Sequence, residues 1–562
     1  MDNYQIADNF SLLSKLMDIH GENSFKAKTY SIAAFNIEKL PMQLSDTPRE
    51  KLFGIKGIGE STGKKIIELL DTGKLSALEE MIAKTPAGVM EMLNIKGIGP
   101  KKISVIWKEM EIESIGELLY ACQENRLRLY KGFGEKTQQN VIETIEFYLN
   151  NQGSFMYAQV EETVPQVTAY LEKLFTKGNV FITGAFRRQL EIIDELEYVV
   201  GAENDEVKPK FQSANPPELL EEKPGSLLYK LHNGLKLRLY TGRKDLEKRL
   251  FLTTASPEFR DAFSASFPKA DLSKSNGEDD SVIFDQAGIN YIPPFLREFP
   301  AIINRAKKAP LPAVVQPADI KGIIHSHSNW SDGSNTIEEM AAAAMKQGLE
   351  YLVISDHSKS AFYANGLTEE RIAAQHQYID EINAKLKGFT IFKSIECDIL
   401  NDGNLDYANS ILSSFDLVIA SVHSNLKMTE EKAMQRLLAA IENPYTTILG
   451  HMTGRLILSR KGYPVDHRKI IDACAANNVV IELNAHPRRL DIDWRHIGYA
   501  FEKNVLISID PDAHFIEGFN DTKYGVLAAQ KAMVTPAQNL SSFTAKEFTA
   551  FIQGRKKMKG IS

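Results

Sequence analysis

Six short apolar runs, each ending in polar or ionisable residues, set the strongest limit on what this chain can fold into. They are GIIHSH, YLVISDH, LVIASVHS, TTILGH, VVIELN and VLISID, spread from Gly322 to Asp510. Helical stretches separate them, which is the cadence of repeated βα units around a parallel sheet or barrel. Active sites of such folds collect at the carboxyl ends of the strands, where most of the polar clusters fall here.

The rest of the chain has a different texture. From Met1 to about residue 150 apolar residues recur at helical spacing, as in Phe10, Leu13, Leu16 and Met17, broken by short glycine turns. An all-helical region is expected at 1–150. Over 151–308, β-branched runs such as NVFITGAF and LKLRLYTG interleave with helical stretches such as SPEFRDAFSASF, so a mixed α/β domain is expected. Residues 309–320 carry prolines at 310, 312 and 317 and read as an extended linker to the last domain, 321–562. A length of 562 residues fits such a multidomain plan. The net charge of -7 argues against a uniformly basic DNA-coating protein but leaves room for a local basic face. Cys122, Cys397 and Cys474 lie far apart without a C-x-x-C pair, which suggests neither a disulfide framework nor a thiolate zinc site. The amino terminus lacks a signal-peptide pattern and no apolar stretch approaches a membrane span, so a cytoplasmic protein without a membrane partner is expected.

Three segments of the helical region share one pattern: LFGIKGIGESTGKKI, MLNIKGIGPKKI and LYKGFGEKTQQNVI. Each places glycines around one apolar residue, at Gly57 and Gly59, Gly97 and Gly99, and Gly132 and Gly134. A tight turn there lets amide N–H groups at the start of the next helix face a phosphate, and Lys64, Lys65, Lys101, Lys102 and Lys136 supply positive charge. One copy is equally well a connection that only packs. Three copies with following lysines favour the helix-hairpin-helix pattern, which holds the sugar-phosphate backbone without reading bases.

The last domain carries an ordered set of metal-ligand types: His325, His327, Asp332, His357, Glu396, His423, His451, Asp512 and His514. In H-S-H the two histidines, on a strand, share a face and can grip one ion; D-A-H at Asp512 and His514 repeats the spacing. Six of the chain's 12 histidines belong to this set, a clustering that packing alone does not require. Nitrogen and oxygen ligands without thiolates suit Mn, Zn or Fe, and Glu396 is placed to bridge two ions. Hydrolysis of a phosphate ester is the chemistry such ions serve.

The segments KGIIHSHSNWSDG, YLVISDHS, SIECDIL, ASVHS, LGHMTGR and SIDPDAH resemble the successive motifs of the PHP (polymerase and histidinol phosphatase) superfamily. That resemblance covers about the last 240 residues and implies a distorted (β/α)7 barrel with two or three divalent ions. It implies one ion held by His325, His327, Glu396 and Asp512, a second by Glu396, His423 and His451, and a third by Asp332, His357 and His514. Arg455 and Arg489 are candidate phosphate or strand contacts, with a surface ion pair as the equal alternative.

Hairpins, mixed domain and PHP-like domain, in this order, are similar to bacterial and archaeal family X DNA polymerases with a carboxy-terminal PHP exonuclease. ENSFKAKTYSIAA resembles that family's opening DNA-binding domain and INYIPPFLRE the close of its palm and thumb, so a nucleotidyltransferase-like α/β middle is implied. The departure lies at the polymerase site. The family's G-S followed by D-x-D, with a third aspartate on a later strand, holds two ions for nucleotide transfer. This chain reads GAFRRQLEIIDELEYVV: Ala185 replaces the serine, and Glu195 and Glu197 stand at the aspartate positions, each longer by a bond of about 1.5 Å. Arg238 falls at the third aspartate, and Thr254 to Ser256 read TAS where the family has T-G-S. Asp194 would supply a carboxylate if the register moved by one. The resemblance implies a monomeric 3'-5' exonuclease of DNA repair, acting on a primer terminus, gapped or single-stranded DNA, beside a polymerase domain that keeps its fold but not its activity. An active gap-filling polymerase with an ExE site, a small-molecule phosphatase and a non-catalytic DNA-binding scaffold are the competing readings.

Overall fold

A computed structural model describes the chain apart from residues 2, 39, 41, 56, 57, 96, 150–152, 212–215, 269–278 and 562. It divides into two compact units. The first comprises Met1–Gln123 and Leu127–Tyr148; the second comprises Glu124–Arg126 and Leu149–Ser562.

The first unit is built from helices, as expected. Asn3–His20 and Ser24–Glu38 form an antiparallel opening pair, with Phe10, Leu13, Leu16, Ala27, Tyr30 and Ile37 buried. Two later helices, Glu60–Thr72 and Pro100–Lys108, each start directly after a glycine, Gly59 and Gly99. The apolar residue of each hairpin, Ile58, Ile98 or Phe133, is buried and anchors the turn.

In the second unit, residues 180–241 form a five-stranded sheet. Its strands are β1 (Val180–Thr183), β2 (Glu195–Val200), β3 (Glu218–Lys223), β4 (Ser226–Lys230) and β5 (Lys236–Thr241), in the order β1-β2-β5-β4-β3. β2 and β5 run parallel at its centre and put Glu197 in register with Arg238. A following helical subdomain packs around Phe251, Phe259, Phe263 and Phe284. Arg297 is fully buried in it, its guanidinium paired with Asp280, which also receives Arg187 at 2.8 and 3.0 Å. A buried guanidinium without its carboxylate is costly. Asp280→Ala is therefore expected to lower unfolding stability by about 3 kcal/mol, measured by urea denaturation.

The carboxy-terminal part is a seven-stranded parallel sheet in strict chain order: β6 (Gly322–Ile323), β7 (Tyr351–Ile354), β8 (Thr390–Asp398), β9 (Leu417–Ser421), β10 (Thr446–Leu449), β11 (Val480–Asn484) and β12 (Ile507–Asp510). The sheet rolls almost shut. Beyond the ends of β6 and β12, Ser326 bridges Ala513, the His327 amide donates to the Ala513 carbonyl at 2.8 Å, and the Ala513 amide donates to that of His325 at 3.3 Å. Helices outside the barrel start at side-chain caps, among them Thr336, Thr368, Thr429 and Asp466, whose oxygens satisfy amides of the first turn. The last helix, Ala545–Met558, closes the barrel at the amino ends of the strands: Phe548 stacks on Tyr351 with ring centroids 4.5 Å apart and meets Phe392 edge-on. Its basic end is thereby partly committed, since Arg555 is buried and donates to the Thr446, Pro444 and Asn478 carbonyls.

The 309–320 segment is extended up to a short turn at Pro317–Asp319, yet it is packed: Val315 is buried and its amide donates to the Val534 carbonyl at 2.8 Å. The sheet domain also meets the barrel directly. Arg495 pairs with Glu191 at 2.7 Å, Tyr524 donates to Glu161 at 3.0 Å, and the buried Lys531 ammonium donates to the Arg188 carbonyl at 2.8 Å. No helix among the described residues is long and apolar enough to cross a membrane.

Candidate metal centre

The carboxyl ends of the barrel strands bring all nine expected residues together. His325, His327 and Asp332 follow β6, His357 follows β7, and Glu396 lies in β8. His423 and His451 follow β9 and β10, and Asp512 and His514 follow β12. Eight are buried, and the His423 side chain is 10% exposed.

The H-S-H pair converges by a route that strand alternation does not describe. β6 already ends at Ile323, and His325 adopts a left-handed backbone with φ +61°; Asp512, the first residue of the second pair, has φ +53°. Non-glycine residues held there are uncommon and cluster at functional sites. The two kinks lie side by side at the seam of the barrel, where the Ser326–Ala513 bridge holds them.

Three sets of ligand-type atoms lie within 4.8 Å of one another: His325, His327, Glu396 and Asp512; His357, Glu396 and His423; and His327, Asp332, His357 and His514. Glu396 is the hub. It lies 3.3 Å from His325 Nε2, 3.0 Å from His357 Nδ1, 3.1 Å from His423 Nε2 and 2.9 Å from His451 Nε2. Burial disfavours its charge, but His423, His325 and His357 outweigh burial and hold the carboxyl well below the usual range. Burial, reinforced by His514 and His357, pushes His327 down to about 4.

The donor chemistry fits divalent ions. His325 Nε2, His327 Nδ1, Asp332 Oδ2, His357 Nδ1, Glu396 Oε2 and His514 Nε2 are all buried without a hydrogen-bond partner, whereas buried polar atoms normally have one. Behind the ligand atoms stand carboxylates not singled out in the sequence. Glu482 of β11 takes His325 Nδ1 with one oxygen and the His451 amide at 2.5 Å with the other, and Asp398 of β8 takes His423 Nδ1. Such contacts fix the tautomer that leaves Nε2 free to ligate. Glu124, grouped with the second unit, also lies within ligand distance of Asp512 and His514.

The two arginines differ in role. Arg489 is buried with Nε 3.5 Å from Asp512, at the edge of the centre. The Arg455 fork instead donates to the Arg489 and Leu490 carbonyls and to Asp493 at 2.6 Å, bracing the loop after β11.

At the hairpins, Gly59, Gly97, Gly99, Gly132 and Gly134 are exposed, with nothing within 4 Å of where a Cβ would lie. Internal packing therefore does not demand their smallness, and each leaves backbone open to close approach. Gly97 and Gly132 have φ of +95° and +93°, a second reason for glycine. Lys101 and Lys136 are exposed and Lys102 half-buried beside the Phe133 ring. Gly57 lies outside the described residues.

In the five-stranded sheet the positions aligned with polymerase carboxylates are engaged internally. Arg238 reaches Glu195 at 3.1 Å and Glu221 at 3.0 Å. Glu197 lies over Gly184, where any Cβ would collide with it, and accepts the Ala185 amide and the Tyr240 hydroxyl, both at 2.9 Å. Burial raises its carboxyl above the usual range. Thr254 is buried against Thr183, and Ser256 caps the helix Pro257–Ser266. Asp194 precedes β2 and accepts from Ser154 at 2.7 Å, away from this pair.

Known families match these regions. Residues 324–486 match the PHP domain, 1–75 a helix-hairpin-helix domain and 89–146 a SAM-like helix-hairpin-helix tandem. Probable phosphatases resemble part of the chain: one from Syntrophotalea carbinolica is 31% identical over 233 residues, covering 38% of this chain and 89% of that protein. One from Caldanaerobacter subterraneus is 30% identical over 205 residues, covering 34% and 74%. The DNA polymerase/3'-5' exonuclease PolX of Bacillus subtilis is 31% identical over 579 residues, covering 96% of this chain and 97% of that protein. Likeness of that extent along nearly the whole of both proteins means that this chain belongs to the PolX family.

Proposed function

We propose that this chain is a metal-dependent phosphodiesterase that trims DNA from 3' ends in repair, with the helix-hairpin-helix turns holding the strand. The observation that carries the reading is the buried hub at Glu396, with ligand-type residues converging from six of the seven strand ends and unpartnered buried atoms on His325, His327, Asp332, His357, Glu396 and His514. His325, His327, Glu396 and Asp512 would hold one Mn, Zn or Fe ion, Glu396, His423 and His451 a second, and Asp332, His357 and His514 a third. His357 and His327 lie close enough to join the second and third sets. Bound ions supply charge against the phosphate and activate water at neutral pH. In the overall step a water oxygen adds to phosphorus, the P–O3' bond breaks, and the 3' oxygen leaves protonated, giving a nucleoside 5'-monophosphate and a new 3' hydroxyl. Arg489 steadies Asp512 from the rim, and the exposed glycine turns with Lys101, Lys102 and Lys136 grip the backbone.

Two measurements test the scheme. A 5'-labelled primer-template incubated with Mn²⁺ should shorten from its 3' end with wild-type protein and stay intact with a His325→Ala, His327→Ala variant; equal shortening by both would place the activity elsewhere. Glu482→Gln should weaken metal retention by about 10- to 100-fold, read by competition with a chelating dye. Unchanged retention would mean that Glu482 does not set the His325 tautomer.

A further inference from the structure

Among the described residues of 321–562, the large apolar side chains left exposed are Met345, Phe362, Leu458, Phe515 and Met558. Three of them lie in loops at the carboxyl ends of barrel strands, each following a metal-ligand type. Phe362 comes five residues after His357, Leu458 seven after His451, and Phe515 directly after His514. Single exposed apolar residues are ordinary on a protein surface. Three at the one end of the barrel where the ligand types converge are a local excess.

Phe362 is the extreme case, 78% exposed against 44% for Leu458 and 37% for Phe515. Its exposure does not come from a loose backbone. The loop is closed at its base, where the Leu367 amide donates to the His357 carbonyl at 2.9 Å and the Ser358 amide to the Glu396 carbonyl at 3.0 Å. Ahead of Phe362, the Ser360 amide donates to Asp406 at 2.6 Å. Behind it, the Gly366 amide returns to the Ala361 carbonyl at 3.1 Å, and Arg371 donates to the Asn365 carbonyl at 2.7 Å. Ala361 and Ala364, on either side, are fully buried. The chain is pinned on both sides of the ring, which is held out in water.

The ring also lies close to the centre. Its centroid is 5.7 Å from that of Tyr363, at 76°. The Tyr363 hydroxyl is buried, and Asp398 and Glu396 are near enough to add to the effect of burial in raising it well above the ordinary tyrosine range. The Arg126 guanidinium sits over the Tyr363 ring at 4.2 Å and pairs with Glu124, which is within ligand distance of Asp512 and His514.

A flat apolar face fixed in water gains when another flat face covers it, and every nucleobase has such a face. We propose that Phe362 is a stacking platform for a nucleobase at the strand end, so that the base is seated on the ring while its phosphate faces the centre. This rests on the phosphodiesterase reading above. A phenyl face offers no hydrogen bonds to a base edge, so the platform favours ends that carry bases without selecting their identity.

Two 5'-labelled oligonucleotides test this with full-length protein and Mn²⁺: one ordinary, the other with abasic tetrahydrofuran residues at its last two 3' positions. The abasic end keeps the phosphates and loses only the bases. Wild type should cleave the ordinary end with a kcat/KM about tenfold higher, the difference lying mainly in KM. Phe362→Ala should bring that ratio close to one, and Phe362→Trp should keep it. The ring is exposed, so neither change should disturb folding. An unchanged ratio in Phe362→Ala, or no preference in wild type, would overturn the platform while leaving the metal centre standing. Failure of wild type to cleave either end would refute the phosphodiesterase reading, and the platform with it.

Discussion

Glu396→Gln should remove 3' trimming by on the order of 10⁴-fold, about 5.5 kcal/mol of transition-state stabilisation, while leaving the barrel folded. The size follows from its position. Glu396 belongs to two of the three ligand sets, and its oxygens lie 2.9 to 3.3 Å from nitrogens of His325, His357, His423 and His451. Glutamine keeps the volume but deletes the negative charge and turns one acceptor into a donor facing imidazole nitrogens. The shared carboxylate is thus lost to two ions at once, whereas Glu482→Gln disturbs only the orientation of ligands that remain. Metal analysis should show at least one ion fewer per chain, with unchanged far-UV circular dichroism and thermal midpoint in the presence of EDTA. Activity within tenfold of wild type would mean that hydrolysis does not run through this centre.

How much of this was readable in the sequence depended on whether a residue type announces its chemistry locally. The nine ligand types and their order were legible because histidines and carboxylates after apolar runs have few structural uses. The way they converge was not: the left-handed turns at His325 and Asp512 come from closure of the barrel between its first and last strands, a contact between residues nearly 190 positions apart. β8 was missing from the apolar runs because Lys393, Glu396 and Asp398 interrupt its hydrophobicity, and the last two lie at the candidate centre. Glu482 hid for the opposite reason, inside the apolar run VVIELN, its role visible only once His325 packs against it. The all-helical start and the βα cadence were legible, being set by local periodicity that tertiary contacts reinforce.

Purified wild-type protein should leave a gapped primer unextended, with single-nucleotide incorporation at least about 10⁴-fold below that of the Bacillus subtilis relative assayed beside it. Nucleotide transfer with two ions requires carboxylates free to hold them at fixed spacing. Here a guanidinium stands between two carboxylates: Arg238 joins Glu195 to Glu221 across the sheet, neutralising the charge a cation would seek. Glu197 is turned down onto the Ala185 amide and the Tyr240 hydroxyl, and Gly184 permits that close seat only because it lacks a side chain. The amide it occupies is therefore closed to a triphosphate as well. A shift of register does not restore the site, because Asp194 lies outside β2 and binds Ser154. The assay should use Glu396→Gln protein in parallel, so that trimming cannot mask slow addition, with Mg²⁺ and Mn²⁺ tested separately. Incorporation within tenfold of the relative would show that Arg238 swings away on DNA binding and that Glu195 and Glu197 still hold metal, making the chain a working polymerase.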